Sequence, residues 1–382
     1  MATLVGDNTT LVAAVSRSAD KLDIFTSNTL GQIWTAAWEP GFTQWGGPWL
    51  INTNNSRFIG RVLSPTPVYA VSRSTDKLDI FTTDENGVIQ TAAWQPGFSE
   101  WSEWRQVAGG VAAFGSHVTA VSRSKDKLDI FVVGLDRRVY TAAWEPAFGA
   151  DWHGWRVIGD AHFDQGAPVH AVSRSTDKLD IFATDITGAI LTSAWEPGFT
   201  EWRPWRQVAG GVANPGAHVT AVSRSRDKLD IFVTRPQDFP NQEPSGYVYT
   251  AAWEPGGGDW RGWWPIGDLN DAVNGAPVSA VSRSTDKIDI FVTKVEFFLD
   301  DDNNIVPKFM GVQTSAWAPG FTEWRPWRLV AGGSDANWTS PVAAVSRNTD
   351  KLDIFATAAN GVVQTAAWEP DFGADWHGWW PA

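Results

Sequence analysis

One phrase recurs through the chain and limits what it can fold into: Ala70-Val-Ser-Arg-Ser-Thr-Asp-Lys-Leu-Asp-Ile-Phe81, followed ten residues after its Phe by Thr91-Ala-Ala-Trp94. It occurs seven times. Its arginine falls at Arg17, Arg73, Arg123, Arg174, Arg224, Arg283 and Arg347, a repeat of 50 to 64 residues. Seven copies of one supersecondary unit fill the 382 residues and leave no room for a separate domain. The units run near 8–58, 59–110, 111–160, 161–211, 212–268, 269–333 and 334–382, with residues 1–7 left to close the array.

The second unit shows what one copy builds. Val68–Arg73 is β-prone and ends in the polar turn Ser74–Lys77, and Leu78–Thr83 returns. A second turn, Asp84–Gly87, carries a glycine suited to positive φ, and Val88–Trp94 is the third strand. A loop at Gln95–Glu100 leads to a fourth strand at Trp101–Val107, which Gly109-Gly110 is expected to break. Seven four-stranded antiparallel meanders, each with two faces to bury, pack best radially. The predicted fold is therefore all-β, a seven-bladed β-propeller. The last unit stops at Trp379-Trp-Pro-Ala382, where the fifth continues Trp263-Trp-Pro-Ile-Gly-Asp268; the missing piece resembles Val5-Gly-Asp7. The N- and C-termini are accordingly expected to join in the last blade.

Exceptions to the repeat stand out. The step from the second-strand Phe to the third-strand Thr is ten residues in five units, but 18 from Phe232 and 23 from Phe291. Blades five and six thus carry insertions at 235–246 and 294–310. Meander topology puts both on one face of the disc. The arginines, the Thr-Ala-Ala-Trp tryptophans and the Glu-Pro-Gly-Phe loops share the other.

Composition narrows the function. A net charge of −13 opposes general attraction to nucleic acid or anionic lipid. Cysteine is absent, so no disulfide framework or thiolate site is expected. No run of about 20 apolar residues suggests membrane insertion. The start lacks a secretion signal, which reads as cytoplasmic synthesis, with any release by a non-classical route. Tryptophan is the outlier, with 25 residues against 4 Tyr.

The shared rim of the fourth unit groups Arg174, Trp195, Glu196, Phe199 and Trp202. An indole offers a platform to the C–H face of a sugar, and Arg and Glu offer donors and acceptors to hydroxyls. The equivalent candidates elsewhere are Trp38, Glu39 and Trp45; Trp94 and Trp101; Trp144, Glu145 and Trp152; Trp253, Glu254 and Trp260; Trp317 and Trp324; and Trp368, Glu369 and Trp376. The seven arginines complete the set. Each residue also has a structural reading. The tryptophans can pack between blades, with the third of each unit, such as Trp155, the first choice for core. The arginines can bond to carbonyls of the next blade. Asp180 and its equivalents read as structural, with Asp129 expected opposite the Ser122 hydroxyl. The repeat is imperfect: Gln95 and Ala318 replace the rim Glu in units two and six, and Gly257-Gly258 stand where others carry Phe in unit five.

Catalysis is not expected, because the carboxylates recur nearly identically in every unit whereas a single active site needs an asymmetric set. The sialidase Ser-x-Asp-x-Gly-x-Thr-Trp box is missing, and the histidines lack metal-ligand spacing. Asp300-Asp-Asp-Asn-Asn304 lacks the Gly and distal Glu of a calcium loop and reads as a solvated acidic loop. No cofactor or metal is implied.

The Leu-Asp-Ile-Phe, Thr-Ala-Ala-Trp and Trp-Arg-Pro-Trp-Arg motifs together resemble the seven-bladed propeller lectins of the Photorhabdus (PLL) type, over essentially the whole chain. The resemblance implies pockets between neighbouring blades that take L-fucose and O-methylated sugars. It carries the rim tryptophans and their Glu neighbours over as candidates. Six-bladed fungal fucose lectins of the Aleuria type look similar in logic, but their Arg lies on a second strand, where this chain has Asp. The expected partners are glycans on cell surfaces, with self-association into a homo-oligomer left open. The competing reading is a protein-interaction scaffold that docks through the two insertions.

Overall fold

In a computed structural model, the structure describes residues 3–6, 12–51, 66–149, 151–236, 245–267, 272–299, 305–332, 341–373 and 375–382. Seven antiparallel sheets form, each a meander in chain order. Blade four is representative, with strands His170–Ser175, Lys178–Thr184, Ala189–Trp195 and Arg206–Val212. The first strand of each blade touches the first strands of both neighbours, and the series closes from blade seven back to blade one. The first strands therefore ring the axis and the fourth strands face outward.

The core lies between the blades. The second strand alternates Leu and Ile on one face with Asp and Phe on the other, so consecutive blades can interlock. Phe25 packs with Leu78 and Ile80 of the next blade, and Phe81 with Leu128 and Ile130. All seven of these phenylalanines are fully buried, each worth about 1.5–3 kcal/mol.

A polar zipper adds to this packing at one rim. Asp76 turns with φ 54° and donates its N–H to the Arg17 carbonyl of the preceding blade. Its carboxylate accepts from Ser18 and Lys21 of that blade. Short polar Asp tolerates this left-handed conformation, and its equivalents repeat the contact around the disc. Asp20 receives the same contacts from Asn348 and Lys351, so the zipper runs through the closure. The termini join as expected: Leu4 donates to Ala382 and accepts from Val363, and Val5 bridges Val362.

Two local expectations are corrected. The fourth strand of blade two is Arg105–Val111 and runs through Gly109-Gly110 instead of ending there. Ala108 (φ 45°) and Gly109 (φ 71°) form an irregular step, after which Val111 pairs with Val88. Gly110 is required because a Cβ there would lie 2.2 Å from the Trp155 indole of the next blade. In the first hairpin, Asp129 pairs with Val121, not Ser122, because the ladder steps from Ser124 to Ser122 and leaves Arg123 as the extra residue.

The insertion in blade six extends its hairpin to strands Lys287–Leu299 and Ile305–Trp317, away from the arginine rim. In blade five, Ser245-Gly246 pairs with a short added strand, Ala272–Val273. The acidic run at 300–304 lies outside the described residues. Near the axis, Tyr69, His117, His170 and His218 of four blades converge. The Tyr69 hydroxyl meets His117 Nδ1 at 2.5 Å, and the His117 and His218 rings are 5.4 Å apart. Burial pushes His117 and His170 down to about 4. Among the described residues no helix is long and apolar enough to cross a membrane.

Candidate carbohydrate pockets between the blades

Placing Arg as the extra residue of its hairpin turns it onto the same side as the second-strand Asp. In blade four Arg174 Nε donates to Asp180 Oδ2 at 2.6 Å, and its Nη2 donates to Glu196. In the other blades the Nε to Asp contact is an ion pair of 2.8–3.1 Å, as between Arg17 and Asp23 or Arg123 and Asp129. Glu39, Glu145, Glu254 and Glu369 each accept from the arginine of their own blade. The side chain thus bonds chiefly to carboxylates of its own blade, and Arg123 and Arg174 also reach the turn carboxylates of the next, Asp177 at 3.8 Å and Asp227 at 3.6 Å. In blade two the partner is neutral, with Arg73 donating to Gln95 at 3.2 Å.

Burial pushes Asp180 up to about 6, against the pull of Arg174. It pushes Asp23 up to about 7 in the same contest with Arg17. The hydrogen bond from Arg174 holds Glu196 below the usual carboxylate range. The guanidinium is consequently fixed in place while keeping further N–H donors for a ligand.

Where an arginine stacks on a rim tryptophan among the described residues, the tryptophan comes from the next blade. Arg174 stands 5.3 Å over Trp253, Arg17 5.3 Å over Trp94, Arg73 5.3 Å over Trp144, and Arg123 5.7 Å over Trp195. Arg174 and Glu196 therefore share a pocket with Trp253, whereas Trp195 serves the pocket of Arg123. The sequence grouping of Arg174 with Trp195 and Trp202 is corrected accordingly. The reason is that the first-strand arginine reaches across the gap between blades while the third-strand tryptophan closes the gap from the far side. All seven rim tryptophans are half-buried.

The second tryptophan lines the pocket at Trp101, Trp260, Trp324 and Trp376, and in every unit it has a packing role as well. Trp101, Trp152, Trp202, Trp260, Trp324, Trp376 and Trp45 each stand edge-on against the buried Phe of the preceding blade, at 5.5–5.7 Å. The third tryptophan is buried in blade two (Trp104) and half-buried at Trp155, Trp205, Trp263, Trp327 and Trp379, and it clamps neighbouring blades. Trp155 donates to the Val107 carbonyl, Trp205 to Ile158 and Trp263 to Val208.

One wall was missed at the sequence level. Four residues beyond the second tryptophan stands Trp49, Trp264 or Trp380 in blades one, five and seven, but Arg105, Arg156, Arg206 or Arg328 in the others. Trp49 and Trp264 line the pockets of blades one and five and are half exposed. Those pockets measure about 470 and 490 Å³. The signal was visible as an Arg/Trp alternation, but only the ladder shows that this side chain faces the pocket. Among the described residues no three His, Asp or Glu side chains are placed to hold a metal ion.

These features define a seven-bladed propeller with repeated, open pockets between its blades, each pairing a fixed guanidinium with an indole. No protein-family model matches the chain, and no curated protein matches it in sequence. Among solved structures it is similar to the BP39L lectin from Burkholderia pseudomallei (TM-score 0.78, 19% identity, 96% of this chain and 97% of that one). It is also similar to AofleA from Arthrobotrys oligospora (0.56, 17%, 82% and 86%). The six-bladed Aleuria aurantia lectin matches at 0.54, with 15% identity over 100% of this chain and 98% of that one. At these identities the likeness establishes the propeller fold.

Proposed function

We propose that the chain is a multivalent carbohydrate-binding lectin that takes L-fucose and O-methylated sugars in its inter-blade pockets. The carrying observation is the stacking of Arg17, Arg73, Arg123, Arg174 and Arg283, each paired with the Asp of its own blade and in three of the five also with its rim Glu, on a half-buried tryptophan of the next blade. Such a site offers directed donors to ring hydroxyls and an apolar face to C–H groups or a methyl ether. Where Trp49 or Trp264 adds a third indole, an apolar substituent gains further contact. The similar Aleuria lectin has been solved with Fucα1-6GlcNAc, which supports this ligand class. Open pockets hold single sugars weakly, and several on one rim raise avidity for a surface that presents many copies.

A glycan array probed with labelled protein, including fucosylated and O-methylated sugars and repeated with free L-fucose as competitor, tests this reading. Selective, competed binding is expected. A blank array from well-folded protein would overturn it and move attention to the blade-six hairpin as a protein-docking element.

A further inference from the structure

Two sequence positions on opposite sides of each gap between blades vary together. One is the wall residue four places beyond the second tryptophan of a blade. The other is the residue just before the second tryptophan of the next blade. In the four blades whose wall residue is Arg, the residue across the gap is Asp or Glu. In blade seven the wall is Trp380 and the residue across the gap is the neutral Gln44. Blades one and five depart from this matching, with Glu100 across from Trp49 and Glu323 across from Trp264.

Blade four shows how the matched positions meet: Arg206 Nη1 lies 3.4 Å from Asp259 Oδ1 of blade five. In blades one and five an indole has taken the place of that guanidinium while the carboxylate remains. Trp49 and Glu100 line one pocket, and Trp264 and Glu323 line another. Among the described residues Glu100 and Glu323 make no hydrogen bond or ion pair. The pocket arginines are committed elsewhere. Arg17 is held by Asp23 and Glu39, and Arg224 by Asp230 and Glu254.

The surroundings of each unmatched carboxylate are aromatic. Trp49, Trp94 and Trp101 line the first pocket, and Trp264, Trp317 and Trp324 the second. Indole faces attract an organic cation as well as the C–H face of a sugar. A neutral sugar would use the indoles and leave the carboxylate without a counter-charge, and an inorganic cation would do the reverse.

We propose that these two pockets take a sugar bearing a free amine, such as a 2-amino-2-deoxyhexose, with its ring against the indoles and its ammonium donating to Glu100 or Glu323. The ammonium supplies the positive charge that Arg206 supplies to Asp259 in blade four. This rests on the carbohydrate-binding reading and assigns two of the seven pockets a ligand class of their own.

The test is titration of the intact protein, by calorimetry and saturation-transfer NMR, with the methyl glycosides of glucosamine and N-acetylglucosamine, methyl glucoside, choline and L-fucose. Methyl glucosaminide should bind at two sites per chain, about fivefold tighter than either neutral glycoside, the scale of an exposed ion pair beside an indole. The preference should fade as salt is added or as the amine is deprotonated. Glu100→Gln and Glu323→Gln, both on exposed side chains, should each remove the preference at one site with the circular dichroism spectrum unchanged. Trp49→Arg, which restores the blade-four arrangement, should remove it at the first pocket with Glu100 still in place. Equal binding of the amino and acetylated glycosides, a preference that survives in the Glu100→Gln, Glu323→Gln double variant, or choline bound as tightly as methyl glucosaminide would overturn the proposal. Binding of L-fucose with no preference for the amine would refute this inference alone. Binding of no sugar at all would refute the lectin reading with it.

Discussion

If the pockets are built across blades, Arg174 must couple to Trp253 and not to Trp195. A double-mutant cycle measures this with Arg174→Ala, Trp253→Ala and the double variant, and a parallel cycle uses Trp195→Ala. Arg174→Ala alone strips the buried Asp180 of its partner, and breaking a buried pair costs about 3–5 kcal/mol. That cost is common to the single and double variants and cancels in the cycle. What is left is the guanidinium over the indole at 5.3 Å, worth about 0.5–1 kcal/mol. Urea unfolding monitored by fluorescence and circular dichroism should give that coupling for Arg174 with Trp253, and near zero for Arg174 with Trp195. The Asp180 cost should also depend on pH. Its folded pKa of about 6 already lies above the unfolded value of 3.8, so its contribution is full below 3.8 and is lost as pH rises through about 6. Without Arg174 the folded pKa rises further. The stability gap between wild type and Arg174→Ala should therefore widen from pH 5 to pH 8. A coupling found with Trp195 instead, or a gap independent of pH, would refute the assignment of these groups.

Other consequences can be measured directly. Trp195→Ala should leave the fold intact, remove one sugar site in a calorimetric titration, and leave the affinity of the remaining sites unchanged; global unfolding would show that this indole belongs to the core. Leu4 is fully buried beside the last blade, so Leu4→Ala should cost about 2–5 kcal/mol and lower the melting temperature, and an unchanged melting curve would argue against closure through the N-terminal segment. Gly110→Ala should destabilise the junction of blades two and three by displacing Trp155 from the Val107 carbonyl, while Gly109→Ala, with open space around its Cβ, should show backbone strain alone; equal effects on Trp155 fluorescence would contradict this.

Much of the molecule was legible from the repeat. The Leu-Asp-Ile-Phe strand announced its buried face, and the third strand of blade two was located at Val88–Trp94, as observed. Ser-Thr-Asp-Lys read as a turn, and the truncated last unit pointed to the joined termini. The register beside Arg123 could not be read, because one extra residue in a hairpin leaves no mark on the composition yet shifts every partner beyond it. That shift takes Asp129 away from Ser122 and gives it to Arg123. The glycines of Gly109-Gly110 read as a break but serve the approach of an indole from a neighbouring blade, which only packing can show.

Sequence alone determined the unit, its number and its strand order, because hydrophobic alternation, turn residues and repeat length are local properties that each copy states for itself. It also fixed which chemistries recur, since seven Arg, seven rim Trp and the departures at Gln95 and Ala318 are visible on the line. Only the tertiary structure decided which of these groups share a pocket. Partners drawn from different blades, such as Arg174 with Trp253 of the next blade or His117 with His218 two blades away, depend on how rigid sheets are rotated about a common axis. That rotation is set by the interlocking of whole blade faces and the closure of the ring, and no single repeat encodes it.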